Sequence, residues 1–335
     1  MAIKYLADGD SSNIEIRNKG MFTRHNQDQA ARMVKGVVGE MYGLEMEVYS
    51  EKGQEPIINA ANAGCRKWFV DMEPDGSLDH TRGLEIITRG PIPPSLIFTK
   101  GGWLARLLKR IVEEGGVIKG KQPQGYGLHI NVNCAGWSWL EKNAFCAAIN
   151  YMPNVNKQAA GRNSGGSSFN TYLYFQEGRP HSPQSRVANC YIRTNYGNPD
   201  CMEVRMFQMN TDIAVIRGYI THLREIRAFA QKFQPVLLMA ASYFTGYHDA
   251  GITQHVVNAF LEKLWGARDS TTLEQAQEEF DKSVYLVLVD RLVVPHFYTG
   301  SGNAKNLTKL YDNLLAKNKT FQQRYETLEA LWATP

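Results

Sequence analysis

The chain has 335 residues, and its 37 Lys and Arg against 33 Asp and Glu leave a formal net charge of +4. With 43% hydrophobic and 11% aromatic residues it can bury one or two real cores, which excludes disordered and collagen-like chains. A charge this mild, with no block of consecutive Lys or Arg, gives no electrostatic footprint for nucleic acid.

The wholly apolar runs, such as Val284 to Val289, fall far short of the ~20 residues that cross a bilayer, so no membrane span is expected. The first ten residues turn acidic and polar before a secretory signal could form, which predicts a cytoplasmic protein. The cysteines Cys65, Cys134, Cys146, Cys190 and Cys201 are odd in number, scattered and without a Cys-x-x-Cys pair, so reduced and mostly buried thiols are expected.

Residues 1–39 read as an irregular lead-in with short strand-like stretches such as Ile14 to Ile16. Between residues 40 and 210, alternating runs separated by Gly, Pro, Asn and Ser clusters predict a sheet-rich domain. Helices interrupt it at about Ser95 to Glu114, with Leu96, Leu104, Leu107, Leu108 and Ile111 near helical spacing, and at Ser138 to Tyr151. The fold class is therefore α+β, with a mainly antiparallel sheet.

From residue 211 the period changes: Ile213, Ile216, Ile220, Leu223 and Ile226 follow the cap candidates Thr211 and Asp212, and Pro235 should end or kink that helix. Leu307, Leu310, Tyr311, Leu314 and Leu315, then Phe321, Tyr325, Leu328 and Trp332, continue the helical pattern. Residues 211–335 thus form a helical region expected to pack on the sheet domain. Gly161 to Ser168 has the composition of a flexible surface loop.

The chemistry concentrates on the polar faces of four strand segments. In Tyr42 to Tyr49, Leu44, Met46 and Val48 share one face, and Glu45 and Glu47 the other. Two carboxylates two residues apart on one strand face lie about 7 Å apart, where a divalent cation would relieve their repulsion. An exposed strand with two solvated glutamates has the same pattern. Gly127 to Asn133 repeats it with His129, Asn131 and Asn133 on the polar side, and Cys201 to Phe207 sets Glu203 and Arg205 against Met202, Val204 and Met206. Gly83 to Thr88 adds Glu85 after the turn-like Asp75-Gly-Ser-Leu78.

If these strands are neighbours, one face gathers oxygen donors and an imidazole suited to magnesium or manganese. Arg186 and Arg193, just before the Glu203 strand, could hold phosphate oxygens as planar donor forks, or could simply be surface cations. Trp137, Trp139, Tyr172 and Tyr174 could bind a sugar or peptide, though core packing is their expected role.

In this order and spacing, Gly43-x-Glu45-x-Glu47, Asp75-Gly-Ser77, Glu85-Ile-Ile-Thr88, Gly127-Leu-His129-Ile-Asn131, Arg186 with Asn189, and Glu203-x-Arg205-x-Phe207 resemble the signature of the amidoligase family, carboxylate-amine ligases of the glutamine synthetase and glutamate-cysteine ligase fold. The resemblance covers roughly residues 40 to 210. It implies a curved antiparallel sheet holding two or more magnesium ions, or manganese, beside ATP. Glu45, Glu47, Glu85, Glu203 and His129 would be metal ligands; His129, Asn131 and Arg193 would contact the nucleotide. Arg205 and Arg186 would hold the transferring phosphate, and Asp75 would serve the amine site.

In the family's chemistry ATP phosphorylates a carboxylate and an amine displaces the phosphate, giving an amide or isopeptide bond. The partners are then a carboxylate donor and an amine acceptor, each a small molecule or a peptide or protein side chain, with no nucleic acid or membrane partner. Relatives of this fold range from monomers to rings, so the oligomeric state stays open. In relatives a second histidine is common where Asn131 stands here. Gly120 to Gly125 has neither Walker spacing nor a terminal Lys-Ser or Lys-Thr, so ATP binding rests on the resemblance. A metal-dependent nuclease, a phosphotransferase, and a catalytically silent binding protein on the same fold are the competing readings.

Overall fold

The computed structural model describes residues 40–64, 70–73, 78–79, 81–88, 91–117, 127–161, 175–176, 179–180, 190–192, 200–242, 250–285 and 320–333. They form two compact units, neither continuous in sequence. The first takes the described residues up to 135, 157–161 and, from 192, those up to 221; the second takes 136–156, 175–191 and those from 222 onward. The architecture is mixed helix and strand, with an antiparallel sheet in the first unit.

That sheet is built from β1 (Tyr42–Ser50), β2 (Val70–Glu73), β3 (Gly83–Thr88), β4 (Gly116–Val117), β5 (Gly127–Asn133) and, after the short β6 (Phe175–Gln176) and β7 (Arg179–Pro180), β8 (Cys190–Ile192) and β9 (Cys201–Gln208). Its strands run in the order β2-β3-β1-β5-β9-β8, with β4 on the end of β1, while β6 and β7 pair with each other. Leu44, Met46, Val48, Leu84, Ile86, Leu128, Ile130 and Val204 are completely buried on its apolar side, as their period of two requires.

The β5–β9 ladder contains a bulge. Leu128 pairs with Phe207 and Ile130 with Val204, so Arg205 and Met206 together span the interval that His129 alone spans on β5. This corrects the simple alternation: beyond Val204 it is Phe207, not Met206, that stands opposite Leu128, and Phe207 stacks on Tyr219 with ring centroids 4.6 Å apart.

The helix expected over residues 95–114 is two helices, α2 (Pro94–Ile97) and α3 (Trp103–Glu113), with α1 (Glu55–Gly64) before them. Gly101 adopts φ +62, and a Cβ at Gly102 would stand 2.7 Å from the Thr99 carbonyl oxygen, so the chain breaks there on two glycines. Helix α3 buries Leu104, Leu107, Leu108 and Ile111 and packs on α1. Each such side chain contributes about 1.5–3 kcal/mol of transfer free energy.

In the second unit, α4 (Trp139–Tyr151), the helix expected over Ser138 to Tyr151, begins at a capping box of Ser138 and Glu141. Helix α5 (Pro153–Ala160) follows. Helix α6 (Ile213–Lys232) starts after Asp212, whose carboxylate accepts the Ala214 amide at 2.8 Å, and ends before Pro235, in the first turn of α7 (Gln234–Ser242). Then come α8 (Ala250–Gly266), α9 (Leu273–Phe280), a π-helical turn (Asp281–Tyr285) and α10 (Phe321–Trp332). Phe280 meets Phe260 and Phe321 edge-on at 5.4 and 5.7 Å, and the buried Arg324 of α10 pairs with Asp281. Trp137, partly exposed, meets Phe145 edge-on and lies under Arg227. Cys134, Cys146, Cys190 and Cys201 are buried thiols. Among the described residues no helix is long and apolar enough to cross a membrane. The segments 1–39, 162–168 and 307–315, with Cys65, Tyr172 and Tyr174, lie outside the described residues.

Candidate metal centre

The strand order brings the predicted residues onto adjacent strands. Glu45 on β1 is the register partner of His129 on β5, Glu47 of Glu85 on β3, and Asn131 of Glu203 on β9. Directly opposed residues point to the same side of an antiparallel sheet, so these six share the polar face. Asp75, Arg186 and Arg193 lie outside the described residues.

This face is not solvated. Glu45 is 6% exposed, Glu47 and Glu85 8%, His129 5%, Glu203 4% and Asn131 1%. The pattern of two solvated glutamates on an exposed strand is therefore excluded for β1. Burying a carboxylate is costly unless charges or hydrogen bonds compensate it, and here the compensation converges on one ring. His129 Nδ1 lies 3.3 Å from Glu45 Oε2, 3.4 Å from Glu203 Oε1 and 3.8 Å from Glu85 Oε1, and its Nε2 lies 3.7 Å from Glu47 Oε1. Arg205 Nε stands 3.5 Å from Glu203 Oε1, with a side chain about one-third exposed. The bulge places it beside His129.

Burial of His129 works against protonation, but the hydrogen bond to Glu45 and the charges of Glu203 and Glu45 outweigh both burial and the opposing charge of Arg205, and the imidazole is held above its ordinary pKa. Backbone and amide donors hold the carboxylates in place. Gly127 N–H donates to Glu47 Oε2 at 2.5 Å, and Asn131 Nδ2 donates to Glu45 Oε1 at 2.6 Å. The Thr88 hydroxyl accepts the Leu44 amide at 2.8 Å, fixing β1 beside β3.

One of these partners, Gly127, escaped the sequence reading, and Asn131 takes a contact the reading did not foresee. Gly127 reads only as the residue that opens a strand, yet a Cβ there would stand 3.0 Å from both Glu47 carboxylate oxygens. Asn131 reads as a nucleotide contact, yet it is buried against Glu45 and accepts a hydrogen bond from the Cys201 thiol at 3.3 Å. The one cue available was its place on the polar face, two residues from His129.

Glu45, Glu85 and His129 each offer a ligand atom, and the three lie within 4.8 Å of one another. Two carboxylate oxygens and an imidazole nitrogen at that spacing fit a divalent cation such as manganese or magnesium. Among the described residues, four buried carboxylates gather around one imidazole, with the Arg205 guanidinium beside Glu203. Neither a protein-family model nor a curated protein matches this chain.

Proposed function

We propose that the protein is an ATP- and magnesium-dependent carboxylate-amine ligase on a glutamine synthetase-like sheet, joining a carboxylate donor to an amine acceptor through an acyl phosphate. The observation that carries the reading is the buried cluster on the polar face, where among the described residues four glutamates surround one histidine. A metal-phosphate substrate needs such an anionic, water-poor surface with a cation at its edge.

Glu45, Glu85 and His129 would hold a divalent ion, and Glu47 and Glu203 stand where they could complete its ligand set or serve a second ion. Such an ion, when bound, neutralises phosphate oxygens during phosphoryl transfer. Arg205, about one-third exposed, stands beside Glu203 with its Nε 3.5 Å from Oε1, where its guanidinium would meet an anionic oxygen. Phosphoryl transfer asks the protein for positioning and charge more than for a covalent nucleophile, which matches these residue types.

The test is calorimetric titration with ATP in magnesium, in EDTA, and for Glu45→Gln. The expected result is micromolar binding that is lost without metal and in the variant. No binding by folded wild-type protein under any condition would favour a catalytically silent binding protein. Phosphorylated product without amide formation would point instead to a phosphotransferase.

A further inference from the structure

We infer that Asn131 is a positioning residue for Glu45, held in one amide orientation by Glu45 and Cys201 together, and not a contact to the nucleotide. The inference rests on the metal reading of this face. Asn131 lies diagonally across the β1–β5 ladder from Glu45, because its own register partner is Gly43, which has no side chain to fill the space between them. Its Nδ2 reaches Glu45 Oε1 at 2.6 Å, while the other oxygen, Oε2, faces His129 Nδ1 at 3.3 Å. The amide thus fixes the rotation of the carboxylate that presents Oε2 to the cluster.

Glu45 and Cys201 together set which way the amide points. The register partner of Cys201 is Asn133, so Cys201 too sits diagonally to Asn131, on the β9 side. The Cys201 thiol donates to Asn131 Oδ1 at 3.3 Å. A reversed amide would set its oxygen against the Glu45 carboxylate, losing that hydrogen bond, and leave its NH2 only the thiol sulfur, a weak acceptor. Asn131 and Cys201 are buried, so neither offers a surface to a nucleotide. The chain of contacts runs from thiol to amide to carboxylate to imidazole.

Groups that orient a metal ligand typically change metal affinity 10- to 100-fold when removed. The full-length protein is titrated with Mn2+ alone, without nucleotide, as wild type, Asn131→Leu, Cys201→Ala and Cys201→Ser. Expected are about 10- to 100-fold weaker binding for Asn131→Leu, a loss of about two- to fivefold for Cys201→Ala, and recovery in Cys201→Ser, whose hydroxyl restores the donor. Unfolding midpoints in EDTA check that each variant is folded, and the two Cys201 variants carry the test if Asn131→Leu is not. Unchanged Mn2+ affinity in Asn131→Leu, with weakened ATP binding, overturns the inference and makes Asn131 a nucleotide contact. Failure of wild type to bind Mn2+ overturns the metal reading itself, and this inference with it.

Discussion

Glu47 is held by a neighbour that has no side chain. Because a Cβ at Gly127 would stand 3.0 Å from both its carboxylate oxygens, Gly127→Ala must displace Glu47 by a few tenths of an ångström. The moving group is the far end of a flexible side chain, so the expected stability loss is only about 1 kcal/mol, while Mn2+ binding falls about tenfold. Titration with Mn2+ beside urea unfolding checks both halves of that prediction.

A second residue-scale prediction concerns His222, whose Nε2 lies 2.9 Å from Asn156 Oδ1 and whose ring meets Trp265 edge-on. Burial, helped by the nearby Arg268 charge, pushes its pKa down to about 4 from 6.5. The unfolded chain therefore binds the proton more readily. The stability contributed by the neutral ring is fully present above about pH 6.5 and is lost as pH falls toward 4. The loss is at most about 3 kcal/mol, and less for a ring that keeps some exposure. Chemical denaturation from pH 7 to pH 4 should show a shallower decline in His222→Gln than in wild type.

At the scale of elements, local chemistry sets most boundaries. Ser138 and Glu141 open α4, and Thr272 with Gln275 opens α9 by the same reciprocal capping. Thr272→Ala should cost about 1 kcal/mol, read as a lower urea midpoint with an unchanged slope, because the exposed threonine receives the Gln275 amide and also hydrogen-bonds Glu274. The strands β1, β3, β5 and β9 and the helices α4 and α6 were legible from period and cap. The break between α2 and α3 was not, since leucines at helical spacing run across Gly101 and Gly102 and conceal a backbone at positive φ. The bulge at Arg205 and Met206 was equally hidden: it changes the count of residues opposite His129, and a count across two strands is no property of either.

For the whole molecule, the residues that share the candidate centre are far apart in the chain. His129 reaches Glu45 across 84 positions and Asn131 reaches Glu45 across 86. If metal binds there, Mn2+ at a hundred times its dissociation constant should stabilise the folded state by about 2.7 kcal/mol. Amide exchange of β1, β3, β5 and β9 should slow by the largest factor, which mass spectrometry of exchanged peptides measures; equal slowing in α9 and α10 would place the ion elsewhere.

The sequence by itself determined which side chains share a strand face, since alternation is a property of each strand alone: Glu45 with Glu47, His129 with Asn131, Glu203 with Arg205. Only the tertiary structure decided that β1 lies between β3 and β5 and that β9 lies beyond β5. It also decided that the shared polar face is buried and that the two units take turns along the chain. Strand order and burial depend on contacts between residues dozens of positions apart. Such contacts are selected by the packing of whole elements, so the local pattern that names the ligands does not bring them together.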